Sequence, residues 1–228
     1  MKTLARISNE EYDPLSLGLS ATAEISILGD QAFIILPKVF GEVADQIVSV
    51  LSLSGDSETA FSLFKRFLTE KAQVLGCKTP QGRRKYRFVC TPDTKLIENA
   101  TLAESEDISD DLAKLGLERK MWDGDDYSYC GFGIKDRGEL ISWCVENSHF
   151  HAEQETEIGV WTEEAYRKKG YALSNTVCLC RKLLRRGMTK IFYECDIENH
   201  ASFHLAQKAG LEKTGEVLYM IIKRENKP

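Results

Sequence analysis

Hydrophobic positions change period several times along the chain, and each change marks an element. Between 21 and 36 apolar residues alternate with polar ones in two runs, TAEISI and QAFIIL, joined across Leu28-Gly29-Asp30, which predicts two strands and a hairpin ended by Pro37. The period then becomes helical: Val39, Val43, Ile47, Val50 and Leu51 share one face, and after Ser54-Gly55-Asp56 so do Phe61, Phe64, Phe67 and Leu68. GCKTPQGRR at 76–84 breaks the pattern with Gly, Pro and basic residues and predicts a boundary. Alternation returns at Tyr86, Phe88 and Cys90 and is closed by Thr91-Pro92. An acidic run at 104–111 leads into Leu112, Leu115 and Leu117, a helix with carboxylates in its first turn. Tyr127 to Ile134 and Glu139 to Glu146 then predict a hairpin across Lys135-Asp136-Arg137-Gly138.

The densest chemistry lies at 157–172, EIGVWTEEAYRKKGYA. Ile158, Val160 and Trp161 predict a strand from Glu157 to Thr162, and Leu173, Val177, Cys180 and Leu184 predict a helix stopped by Gly187. Between them Arg167-Lys168-Lys169-Gly170-Tyr171-Ala172 forms a basic loop at a helix N-terminus. First-turn N–H groups have no intrahelical partner there, so such a loop suits phosphate oxygens, and a pyrophosphate fits it. Gly170 lets the backbone approach, and the three cations add formal charge.

The order strand, Arg-x-x-Gly-x-Ala loop, helix, strand and second helix resembles the GNAT acetyltransferase superfamily. Arg167, Gly170 and Ala172 match its Arg/Gln-x-x-Gly-x-Gly/Ala loop. Asn199, Ser202, Lys208, Gly210 and Leu211 match its later Asn-x-x-Ser/Ala and Lys-x-Gly-Phe/Leu pair. The resemblance implies an α/β (α+β) fold, a mixed, mainly antiparallel sheet flanked by helices, over 83–228. It leaves 1–82 as a small N-terminal α/β extension of unknown role.

It also implies acetyl-CoA as cosubstrate and direct transfer of acetyl to a primary amine. By position, the backbone of Val160 and Thr162 would pair with the pantetheine arm. Arg167, Lys168, Lys169, Gly170, Tyr171 and Ala172 would hold the diphosphate, and Asn199 would contact the same cofactor region while capping its helix. Glu157 stands where several relatives carry a general base. The tyrosine that many relatives carry two residues before the motif lysine is Ala206 here, which leaves Tyr193 and Tyr219 as substitute proton donors. Trp122, Asp123, Asp125, Asp126 and Trp143 would suit a cationic small-molecule amine. A protein N-terminus or lysine as acceptor, and a non-catalytic acyl-CoA-binding module, stay open beside this reading, as does a homodimer.

Composition narrows the remainder. The chain has 228 residues, 43% of them hydrophobic, and a net charge of −5, which argues against general nucleic-acid binding. The N-terminus lacks the apolar core of a signal peptide and no apolar run nears the ~20 residues of a membrane span, which predicts a cytoplasmic protein. Cys77, Cys90, Cys130, Cys144, Cys178, Cys180 and Cys195 include no Cys-x-x-Cys pair and read as free thiols. His149 with His151 and His200 with His204 lack the companion ligands of a metal site, so no metal is expected.

Overall fold

The computed structural model describes residues 2–7, 21–52, 56–98, 102–114, 118–120, 126–147 and 154–225. In chain order the elements are β1 (Lys2–Ile7), β2 (Ala21–Leu28), β3 (Gln31–Leu36), α1 (Ala44–Ser52), α2 (Ser57–Val74), β4 (Gln81–Cys90), β5 (Glu106–Asp107) and α3 (Ser109–Lys114). They continue with β6 (Glu118–Lys120), β7 (Asp126–Ser128), β8 (Gly131–Asp136), β9 (Glu139–Glu146), β10 (Glu155–Thr162), α4 (Tyr171–Arg185), β11 (Lys190–Asp196), α5 (His200–Ala209) and β12 (Glu212–Ile222). By its internal contacts the chain divides into two compact units, Met1–Tyr86 with Thr214–Pro228, and Arg87–Lys213. The expected boundary between residues 82 and 83 lies inside β4.

In the first unit the strand order is β1-β3-β2-β12-β4. β1 runs parallel to β3, while β2 is antiparallel to β3 and to β12. Ile25, Ile34, Phe40, Ile47, Leu51, Phe64 and Leu68 are all buried in one core with Met220 and Ile222. The alternating and helical patterns at 21–36 and 61–68 therefore do what their periods predict. Two expectations change. Lys38–Val43 is a 3-10 turn, so the helix predicted from Val39 begins at Ala44. The basic stretch before Tyr86 is a strand from Gln81, where Arg84 is gripped by Glu58 and Glu216 and lies over the Phe61 ring at 4.7 Å.

In the second unit β11 is followed by β10, β9, β8 and β5, with the last residues of β4 on its other side. β10 is parallel to β11 and antiparallel to β9, and β9 is antiparallel to β8. The β8–β9 turn is the expected one: Arg137 and Gly138 have φ of 51° and 84°, the left-handed pair a tight hairpin needs. The strand expected over Tyr127–Ile134 is two strands instead. The break falls at Cys130, whose N–H is taken by the buried side-chain carboxylate of Glu146 at 3.3 Å rather than by a main-chain carbonyl. Leu112 is buried on α3 as expected, while Leu115 and Leu117 lie outside the described residues.

All seven cysteines are free and all but Cys178 are buried. Among the described residues no helix is long and apolar enough to cross a membrane, and no group of three His, Cys, Asp or Glu residues is arranged to hold a metal. His149 and His151 lie outside the described residues, as do Trp122, Asp123 and Asp125.

Candidate active site

The site begins with a change of pairing along β10. Its parallel register with β11 runs from Glu155↔Lys190 to Ile158↔Tyr193 and stops there, although β10 continues to Thr162 and β11 to Asp196. On its other edge β10 stays paired with β9 from Ile158↔Glu146 to Thr162↔Ser142. The flanking ladder bonds, Asn147 N–H to Glu157 O at 2.7 Å and Glu163 N–H to Ile141 O at 2.9 Å, put odd-numbered residues in the hydrogen-bonded pairs with β9. By antiparallel alternation the main chain of Val160 and Thr162 turns the other way, toward the side from which β11 has parted. A backbone left open like this calls for a partner.

The opening is the wall of a cleft of about 760 Å³. Val160, Trp161 and Thr162 line it from β10, and Asn199, Ser202, His204, Leu205 and Lys208 from α5. Its end is the start of α4, where Arg167, Lys168, Gly170, Tyr171 and Ala172 contribute. Gly170 is the N-cap, with φ of 84° and no side chain to accept from the first turn, and Lys168 also sits at positive φ, 63°. The first N–H groups of α4 are thus left without a capping side chain, as an anion site requires. Arg167 Nε donates to Thr162 O at 3.2 Å, and Lys169 Nζ lies 4.8 Å from the centroid of the Tyr166 ring, another cleft residue.

A buried polar chain holds α4 at this angle. Asn175 Nδ2 donates to Ser142 Oγ at 3.0 Å, Ser142 and Thr162 hydroxyls meet at 2.7 Å, and Ser105 Oγ bonds both Ser174 and Asn175. The buried face of α4 is consequently Ser174–Val177, Leu179, Cys180 and Leu183, while Leu173 and Leu184, two positions of the expected apolar stripe, are half-buried. A polar run on an inward face is satisfied only by partners distant in sequence.

Asn199 does what its type favours: its Oδ1 accepts from Ser202 N–H at 3.1 Å at the start of α5, while its side of the helix lines the cleft. Glu157 is half-buried on β10, opposite Phe192 in register, on the strand face that alternates away from α4. Tyr219 belongs to β12 in the first unit, with Lys85 Nζ 4.9 Å from its ring centroid, whereas every cleft residue belongs to the second unit. Ala206 is fully buried. Trp161, Tyr166, Ser202, His204 and Leu205 line the cleft without having been marked as cofactor contacts in the sequence. For the α5 residues the signal was helical spacing, Ala201, His204, Leu205 and Lys208 standing at i, i+3, i+4 and i+7.

Tyr193 is the last β11 residue paired with β10, and it is 2% exposed, packed edge-on to Phe88 with centroids 6.4 Å apart. Burial pushes its phenol well above the usual range, opposed in part by Ser202. The hydroxyl has no well-formed hydrogen bond among the described residues. An orphaned buried hydroxyl is costly, so Tyr193→Phe is expected to raise the unfolding free energy by about 1 kcal/mol, read from urea melts of the two proteins.

The family model for GNAT acetyltransferases matches residues 57–219. The chain belongs to that family and is an acyltransferase. Solved structures are similar at low sequence identity. A Drosophila protein superposes with a TM-score of 0.51 at 18% identity, over 72% of this chain and 58% of its own. A protein assigned to the GNAT acetyltransferases from Novosphingobium aromaticivorans gives 0.49 at 13% identity, over 66% and 69%. A GNAT-family acetyltransferase from Colwellia psychrerythraea gives 0.46 at 10%, over 71% and 72%. No curated protein matches the sequence significantly.

Proposed function

We propose that this protein transfers acetyl directly from acetyl-CoA to the primary amine of a small molecule. The observation that carries the reading is the parting of β10 from β11 beside an uncapped helix N-terminus. An extended amide-bearing arm fits the open backbone of Val160 and the N–H of Thr162, whose carbonyl Arg167 already holds, and a diphosphate fits the first turn of α4 with Arg167, Lys168 and Lys169 around it. Bound there, acetyl-CoA supplies the activated acyl group, a thioester whose thiolate leaves readily.

The chain's own groups do the rest. Glu157 accepts a proton from the amine. The backbone N–H groups of Val160 and Thr162 face charge that develops on the carbonyl oxygen. No cysteine lines the cleft among the described residues, and burial pushes the Cys144 thiol up to about 12, which favours direct transfer over an acylated cysteine. Ser202, which lines the cleft, returns a proton to the thiolate in place of the tyrosine absent at Ala206. Since the thiolate leaves readily, Ser202→Ala costs less than the ~100-fold typical of a full general acid, about tenfold in kcat.

The cosubstrate is tested by melting. Acetyl-CoA at a hundredfold excess over its dissociation constant stabilises the fold by about 2.7 kcal/mol. Gly170→Val, a β-branched residue at φ of 84°, is expected to weaken that binding about tenfold or more and shrink the shift accordingly. An unchanged shift in the variant would remove the α4 turn from the site. No shift in the natural protein would sink the cosubstrate.

A further inference from the structure

The face of β10 that alternates away from α4 carries Glu157, Gly159 and Trp161 in succession, with Val145 opposite Gly159 and Trp143 opposite Trp161. The two indoles stack, centroids 6.0 Å apart and planes at 24°. Trp161 is nonetheless 43% exposed and reaches the cleft, so this face is continuous with it. Among the described residues a Cβ on Gly159 would meet only Asn147 Cβ, at 3.9 Å, and its φ is not in the left-handed region. Neither conformation nor close packing asks for a glycine here. What its missing side chain leaves is a hollow, with an indole at one end and a carboxylate at the other.

From these residues we infer that the hollow is the acceptor site, and that the acceptor is a primary amine carried on a single aromatic or alicyclic ring. This rests on the acetyltransferase reading above, with Glu157 as base. The ring lies over Gly159 against the tryptophan pair, whose electron-rich faces favour an apolar cationic body. The ammonium points to Glu157, which matches it in charge. Four strand steps carry Glu157 about 13 Å from Trp161, room for one ring and a short arm but not for a multi-ring aminoglycoside laid along the strand, and the indole end offers a polyamine's further ammonium groups no carboxylate. The ammonium loses one proton to Glu157. The amine nitrogen then bonds the acetyl carbonyl carbon, the carbon–sulfur bond breaks, and the second proton that the nitrogen sheds passes through Ser202 to the departing thiolate.

The experiment measures thiol release from acetyl-CoA with 2-phenylethylamine, spermidine, kanamycin and a peptide with a free N-terminal alanine as acceptors. It also measures quenching of tryptophan fluorescence by 2-phenylethylamine without acetyl-CoA. The expected result is a kcat/KM for 2-phenylethylamine at least tenfold above the other three, with saturable quenching. Gly159→Val, which fills the hollow, raises its KM at least tenfold while the melting shift with acetyl-CoA persists. Trp143→Ala, away from the cosubstrate, does the same and abolishes quenching. Equal or better turnover of spermidine, kanamycin or the peptide overturns the inference, as does an unchanged KM in both variants. A missing melting shift in the natural protein would instead sink the acetyltransferase reading itself, so the two failures are told apart.

Discussion

Replacing Glu157 with glutamine is expected to lower kcat for amine acetylation about 100- to 10,000-fold, the range a positioned general base contributes. The substitution keeps size and shape, so it tests basicity alone. The backbone at this position is held on both sides, by the Asn147 N–H on one and the Phe192 register on the other, which keeps residue 157 one step before the strands part. The fold and the acetyl-CoA melting shift should survive. The loss should shrink as pH rises toward the pKa of the free acceptor amine, because solvent then delivers the neutral nucleophile and the base is needed less. Turnover unchanged across pH would mean that the carboxylate does no proton transfer, and the cleft would have to act by positioning alone.

Why the loop was readable and its supports were not is a matter of sequence distance. The Arg167–Ala172 turn is local: a glycine at positive φ, an uncapped helix start and three cations lie within six residues, so the chain displays the whole device. The parting of β10 and β11 is a property of register. No pattern within either strand encodes it, and only resemblance suggested it. Gly210 shows both cases at once. As the cap just after α5 it has φ of 93°, the helix stop a sequence can announce. A Cβ there would also lie 2.4 Å from Lys95 O, a contact across more than a hundred residues that nothing near the motif reveals. Likewise Asn175 looks misplaced on a helix's inner face until Ser105 and Ser142 arrive beside it. The two tryptophans are eighteen positions apart and become one platform only through the β9–β10 register.

The Arg87–Glu194 pair is the most consequential of these hidden supports. Arg87 Nε and Nη2 both reach Glu194 Oε1 at 2.7 Å, with the side chains 13% and 2% exposed, and the guanidinium lies 5.6 Å from the Phe192 ring centroid. Glu194 is the first residue of β11 past the point where β10 departs, so at that step β4 is the strand's remaining neighbour in the sheet. Arg87→Met keeps the apolar stem but leaves a buried carboxylate without its cation, a change that costs about 3–5 kcal/mol and, for a chain of this size, on the order of 10 °C in melting temperature. Adding Glu194→Leu should recover most of that loss, because a buried pair replaced whole by apolar groups is close to neutral. Acetyl-CoA affinity supplies the second readout: a β11 freed at Glu194 lets the far wall of the opening relax, and the single variant binds more weakly than its stability alone requires. A loss below about 1 kcal/mol in Arg87→Met would mean that Glu194 is accommodated without its cation, and that the opening is held by the packing of α4 and α5 rather than by this ion pair.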